Sequence, residues 1–257
     1  MNATPAQAAI RRATPSDIDR LSTLMADAFL IAPVGDWLIP GLATRRKVYI
    51  DYFDIFIRHG LRHGMVEVND NLTGAAIWFP QNHTTPEPDD YDTQLAAACG
   101  PWTDRFKLLD DTLAQQHPAG VLHHYLAFLA VAPNAQSRGI GSALLERHHR
   151  WLDRNGIPAF LEASEPRNRD LYLRHGYQAN KPFHLPQDGP PLWPMWRDPK
   201  PAQPPPATPP HLGPPGPLAM AVDKQHPPPR SRRRLAASPV GEGQPNLPLT
   251  TPAPTGG

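Results

Sequence analysis

The chain has 257 residues and a formal net charge of +1. That balance leaves no basic footprint for nucleic acid, and no apolar run approaches the length of a membrane span. Cys99 is the sole cysteine, which excludes an internal disulfide and suits a reducing cytoplasm; Met1 to Arg12 lacks the apolar core of a signal peptide, so a soluble cytoplasmic protein is expected.

In chain order, Ile10 to Arg12 reads as a short first strand, and Thr14-Pro-Ser-Asp17 as the capped start of a helix reaching about Phe29. Ile31 to Pro40 reads as a loop. Between Thr44 and His63, Val48, Tyr49, Tyr52, Phe53, Phe56 and Ile57 form an apolar helical stripe. Met65 to Val68 and Leu72 to Phe79, separated by Asn69-Asp-Asn71, give a hairpin signal. Asp89 to His117 reads as two helical pieces broken by Gly100-Pro101. Tyr125 to Val131 is an uninterrupted apolar run suited to a buried central strand, closed near Pro133, which cannot donate to a ladder. Ile140, Leu144, Leu145, His148, Trp151 and Leu152 then share one helical face, and Asn155-Gly156 is a stop signal. Another strand and helix follow, and two last strands fit near Tyr177 to Leu185 and Leu192 to Arg197. This order implies an α/β layer with a mixed sheet. From about Pro199 prolines become dense and Arg230, Arg232, Arg233 and Arg234 form a basic cluster; residues 199–257 read as a disordered proline-rich tail behind a domain spanning residues 1–198.

The most informative segment is Gln136-Ser-Arg-Gly-Ile-Gly-Ser142, between the apolar strand and the helix behind it. It places Gly139 and Gly141 in the first turns of that helix, where a glycine costs about 0.8–1.0 kcal/mol relative to alanine. Close backbone approach to a ligand compensates such a cost; tight packing of a turn is the alternative. Helix starts present unpaired N–H groups, so a pyrophosphate suits this position, with Arg138 adding a charge-assisted contact. A Rossmann fingerprint would need glycine or alanine at Leu144, and the Gly-Lys-Ser/Thr of a Walker loop is absent.

Gln136-x-x-Gly139-x-Gly141 after a strand resembles the acetyl-coenzyme A pyrophosphate loop of the GCN5-related N-acetyltransferases. The downstream stretches Pro158-Ala-Phe-Leu-Glu-Ala-Ser164, Pro166-Arg-Asn168 and Leu171-Tyr-Leu-Arg-His-Gly-Tyr177 resemble the same family in order and spacing. Leu161 to Ser164 and Pro166 to Asn168 are most similar to its puromycin N-acetyltransferase-like actinobacterial members. Ser137 departs from the glycine many relatives carry. The resemblance covers roughly residues 10 to 198. It implies a mixed central sheet with a splayed pair of parallel strands flanked by helices, acetyl-coenzyme A as cosubstrate, and no metal. It further implies that Gln136, Arg138, Gly139, Ile140, Gly141 and Ser142 hold the cofactor, that main-chain groups of Leu129, Ala130 and Val131 hold the pantetheine arm and thioester, and that Asn168 and Tyr172 face coenzyme A. Tyr172 matches the family tyrosine that protonates the departing sulfur.

Two sets of residues are candidates for the general base. Glu162 is a carboxylate in an otherwise apolar strand, where burial is costly unless it is paired; a structural partnership with Arg138, Arg167 or a backbone turn is the alternative to the base role. His123 and His124 precede the central strand, and as neighbours they point to opposite faces, so at most one faces the site. His148 and His149 are expected at the surface. No spacing of histidines or cysteines matches a zinc site, and no metal is expected. For the acceptor amine, Phe29 to Trp37 and residues 80–120 are expected walls, with Trp37, Trp78, Tyr91 and Trp102 as aromatic lining and Asp36, Asp89 and Asp90 as attractants for a cation. The reading is direct acetyl transfer to a primary amine of a small molecule. Acetylation of a protein N-terminus or lysine, and a noncatalytic acyl-coenzyme A binding module, are the alternatives.

Overall fold

The computed structural model describes residues 9–81 and 86–201; the proline-rich segment beyond, and the expectation attached to it, lie outside the described residues. The elements follow the order β1 (Ile10–Arg12), α1 (Ile18–Phe29), α2 (Pro33–Leu38), α3 (Leu42–His63), β2 (Met65–Asn69), β3 (Gly74–Gln81), α4 (Tyr91–Cys99), α5 (Thr103–Gln116), β4 (His123–Val131), α6 (Ile140–Asn155), β5 (Ala159–Ala163), α7 (Pro166–Arg174), β6 (Gln178–Ala179), β7 (Phe183–His184) and β8 (Pro191–Arg197). The strands form one mixed sheet in the order β1-β2-β3-β4-β5-β8-β6, with β7 also on β8. Only β4 and β5 pair in parallel; the other ladders are antiparallel. No helix among the described residues is long and apolar enough to cross a membrane.

Helices cover both faces, so the central strands read as apolar on both sides. On β3, Ala75, Ile77 and Phe79 pack into a cluster with α1 and α3, while Ala76 and Trp78 pack with Leu144, Leu145 and Leu152 of α6. Strict alternation along β4 would keep the same two faces to its end, but it does not. Opposite Ile77 and Trp78 stand Phe128 and Leu126, which leaves Ala127 as an extra residue on β4. A bulge of one residue exchanges the faces of everything beyond it. Leu126 packs toward α6 and Ala127 and Phe128 toward α1 and α3; beyond the bulge Leu129 joins the α6 cluster and Ala130 the other.

The bulge coincides with an opening in the sheet. β4 and β5 register only at His124–Ala159 and Tyr125–Phe160, so over the rest of their length these parallel neighbours splay apart, as the family resemblance implied. The gap lies between the C-terminal ends of the two strands, a place where α/β sheets form binding crevices.

The structure corrects three expectations here. Ile31 to Pro40 contains the short helix α2, started by Pro33, whose fixed φ suits a first turn. Buried Arg45 organises this segment: its guanidinium donates to the carbonyls of Leu30, Ile39 and Pro40 and pairs with the Asp36 carboxylate. Six residues are too few to show a helical period. His148 and His149 are buried rather than at the surface. His148 stacks on Trp78 at 4.1 Å between centroids and contacts His124 at 3.1 Å, while His149 Nε2 lies 3.1 Å from the Tyr177 hydroxyl. The strand expected near Tyr177 to Leu185 is divided into β6 and β7, with Pro182, which cannot donate to a ladder, between them.

Candidate active site

The loop after β4 approaches α6 through two residues in the left-handed region, Ser137 at φ 63° and Gly139 at φ 81°. Gly139 is therefore not inside the helix. It is the residue before the first turn, and the absence of a Cβ matters because of its own φ. Ser137 holds the same kind of conformation without that freedom, and its hydroxyl accepts a 2.9 Å hydrogen bond from Arg167. Arg167 also donates to Gln136 Oε1 at 3.3 Å, and Gln136 Nε2 donates back to the Val131 carbonyl at 3.3 Å, so α7 ties the loop to the end of β4. No side chain caps the start of α6, and its first N–H groups point outward without an intrahelical partner.

Gly141 is different. Its φ is ordinary, and a Cβ built there would meet only Leu129, Val131 and Leu171 at 3.7–3.8 Å. All three line a cleft of about 730 Å³ that runs along the splay between β4, α6 and α7. Gly141 is thus required neither by conformation nor by packing, and a side chain there would project into the cleft. Of the expected cofactor residues, Leu129, Val131, Gln136, Gly139, Ile140, Gly141, Ser142, Asn168 and Tyr172 line it. Ala130 does not: beyond the bulge it turns to the α1 and α3 face, buried and paired with Ala75. Arg138 does not line it either and is exposed; the arginines at the cleft are Arg167 and Arg174. Tyr172 is buried against Tyr177, with ring centroids 5.7 Å apart, and desolvation pushes its hydroxyl further above its ordinary value, so it remains protonated.

A second, smaller pocket of about 130 Å³ lies on the other side of the sheet and shares Phe29, Ala32 and Ser164 with the cleft. Glu162 points into it, since Ala159, Leu161 and Ala163 of β5 face α6. Burial pushes the Glu162 carboxyl up from 4.5 to about 7, opposed by the Tyr125 hydroxyl. Its Oε1 is buried without a hydrogen-bond partner. The structure pairs it with none of the arginines considered from the sequence.

The other candidate base is displaced. His123 contacts the Val121 carbonyl and His117, and His124 contacts His148; neither lines the cleft or the pocket. Their side chains do point to opposite faces. The expected aromatic lining is also corrected: Trp78 is fully buried against α6, and Trp37, Tyr91 and Trp102 do not line the pocket. Phe29, Tyr49, Tyr52, Phe53, Tyr125 and Phe128 do. Asp36 belongs to the Arg45 cluster, Asp89 pairs with Arg62 at 2.9 Å, and Asp90 precedes the first turn of α4 at φ 46°.

Residues 107–179, which include β4, the loop, α6, β5 and α7, match the family model described as acetyltransferase (GNAT) domain. Over these residues the chain is similar to GNAT acetyltransferase domains. It is 26% identical over 214 residues to an N-acetyltransferase of Schizosaccharomyces pombe described as uncharacterized, a match covering 75% of this chain and 84% of that one. Its fold is similar to that of a crystal structure from Corynebacterium glutamicum described as histone acetyltransferase HPA2 and related acetyltransferase, with TM-score 0.54 and 24% identity over 77% of this chain and 98% of that chain. It is similar in the same way to arylalkylamine N-acetyltransferase 2 from Aedes aegypti, with TM-score 0.52 and 10% identity over 75% and 99% of the two chains.

GNAT acetyltransferases use acetyl-coenzyme A, and the residues of this domain fit that cosubstrate. The cleft has the size of a site for a large ligand, the uncapped start of α6 opens into it, Gly141 leaves room that any side chain would take, and two arginines line it. Among the described residues no group of three or more histidine, cysteine or acidic side chains is placed to hold a metal ion. Arg167, Arg174 and the pocket aromatics other than Phe29 were not among the expected site residues. Arg167 stands inside the Pro166-Arg-Asn168 stretch, so its place was marked, whereas Tyr49, Tyr52 and Phe53 read as the core face of α3, and Tyr125 and Phe128 as part of an all-apolar strand.

Proposed function

We propose that this GNAT domain transfers an acetyl group directly from acetyl-coenzyme A to a primary amine of a small molecule. The observation that carries the reading is the meeting of two cavities where β4 and β5 separate: one is lined by a protonated tyrosine, Tyr172, and the other by a buried carboxylate, Glu162. When bound, the cosubstrate supplies an acetyl thioester.

The residues divide the remaining work. Arg167, Arg174 and the first N–H groups of α6 hold the anionic part of the cosubstrate, and Leu129, Val131 and Leu171 hold its apolar arm beside Gly141. Glu162 Oε1, which has no partner within the protein, accepts a proton from the incoming ammonium, so the amine attacks as a neutral nucleophile. The Tyr172 hydroxyl keeps a proton at the opposite side of the gap for the departing sulfur. Two titrating groups whose surroundings hold one protonated and leave the other near neutrality divide the acid and base roles. The Leu161 to Ser164 and Pro166 to Asn168 stretches, which resemble puromycin N-acetyltransferase-like members, are part of this reading, because they contribute Glu162, Ser164, Arg167 and Asn168.

The test is thiol release from acetyl-coenzyme A with a panel of amines, followed by mass spectrometry of the products. Amine-dependent thiol release with a matching acetylated amine is expected. Binding of acetyl-coenzyme A without release on any amine would refute the enzymatic role and leave a binding module.

A further inference from the structure

The acceptor side of the site also bears on which amines enter. This rests on the acetyl-transfer reading above and extends it to the body of the substrate behind its amino group. Glu162 is the only charged side chain among the residues that line the smaller pocket. It stands two residues before Ser164, the residue that follows β5, and Ser164 is shared with the cofactor cleft. The remaining lining is aliphatic and aromatic, with the hydroxyls of Tyr49, Tyr52, Tyr125 and Ser164 as its other polar groups.

Those rings form a connected set. Tyr49 and Tyr52 meet Phe53 at centroid distances of 5.4 and 5.3 Å, Phe53 meets Phe128 at 5.2 Å, and Phe29 meets Phe53 at 5.3 Å. Such a wall is held rigidly by α1, α3 and the bulged part of β4. The volume, about 130 Å³, is close to that of an engineered cavity of roughly 150 Å³ that admits benzene. No lysine or arginine lines the pocket to repel an ammonium.

We infer that the acceptor is a primary amine with a compact apolar body, about the size of a benzene ring or a short branched alkyl chain, whose amino group sits between Glu162 and the opening at Ser164. The aromatic wall takes the body, and the single carboxylate takes the single cation. A second ammonium would find no second carboxylate there, which lowers kcat/KM by about tenfold or more. A lysine on a peptide presents a hydrocarbon stem of suitable width but carries a polar backbone behind it for which the pocket offers no second charge.

The test uses the full chain with acetyl-coenzyme A and compares kcat/KM for benzylamine, 3-methylbutylamine, ethylamine, spermidine, glucosamine and a lysine-containing peptide. Benzylamine and 3-methylbutylamine should exceed spermidine, glucosamine and the peptide by about tenfold or more. Leu113 of α5 lines the pocket and is only half-buried. Leu113→Trp should lower the ratio of benzylamine to ethylamine kcat/KM by about tenfold, and Leu113→Ala should raise the ratio for bulkier amines, with circular dichroism melting as the check on folding. If Leu113→Trp fails to fold, Leu113→Ala alone carries the test. A preference for spermidine, glucosamine or the peptide, or a ratio that neither variant moves, overturns the pocket assignment and leaves acetyl transfer standing. No thiol release with any of the six amines overturns both.

Discussion

Replacing Glu162 by glutamine tests the site through stability and rate at once. In the folded chain the carboxyl titrates near 7, whereas its ordinary value is 4.5, because burial disfavours the charged form. Between those two values the folded state holds a proton that the unfolded chain has released. An acid whose folded pKa is raised contributes stability that is fully present below the unfolded value and is lost as pH rises through the folded one. At about 1.4 kcal/mol per pKa unit, wild-type stability should fall by up to about 3 kcal/mol from this group alone between roughly pH 4.5 and pH 8. Glutamine does not titrate, so the stability of Glu162→Gln relative to wild type should grow by that amount over the same window. For a domain of this size that corresponds to roughly 6–12 °C in Tm. The buried amide of the variant adds a cost that is constant with pH, so the change in the difference is the quantity to read. Thermal unfolding by circular dichroism at several pH values measures it, and thiol release at saturating acetyl-coenzyme A supplies the second arm. Wild-type kcat/KM should rise with pH to a plateau with a limb near 7, and Glu162→Gln should lose that limb and about 10² to 10⁴ in rate. A difference in Tm that does not vary with pH, or a variant that keeps the limb, would refute the assignment of Glu162 as the buried base.

Three further outcomes are expected. Tyr172→Phe keeps the ring against Tyr177 and removes only the hydroxyl, so kcat should fall by about 10² to 10⁴ while Tm shifts little, as stopped-time thiol assays and melting would show. Gly141→Ala should raise the stability of the free protein by up to about 1 kcal/mol, because the new Cβ meets only ordinary contacts within a helix, yet weaken acetyl-coenzyme A binding in a calorimetric titration. Gly139→Ala should instead cost about 1–2 kcal/mol of stability at φ 81°, even though nothing lies within 4 Å of its Cβ; denaturant unfolding distinguishes the two glycines.

The cleft side of the candidate site was legible because its signals are local. Gln136, Gly139, Ile140, Gly141 and Ser142 are contiguous in the chain, and Asn168 and Tyr172 are one helical turn apart, so spacing alone places each group on one surface. Even there the two glycines were given one reason where the structure gives two: a left-handed backbone at Gly139, and open space beside Leu129, Val131 and Leu171 at Gly141. Arg138, expected to add a charge-assisted contact, is exposed, whereas Arg167 reaches the loop from α7.

What the chain by itself determined was the order of strands and helices, set by hydrophobic period and by Gly and Pro punctuation, and the loop that lines the cleft. Tertiary structure decided the smaller pocket. The phase of β4 reverses at Ala127, which no composition of an all-apolar run can reveal, since either phase buries hydrocarbon equally well. The aromatic residues of α3 were visible as a stripe, but whether a stripe closes a core or walls a pocket depends on what stands opposite. Here Phe128 and Ala127 stand opposite, at the bulge where β4 and β5 part and Glu162 is left without a partner for its Oε1.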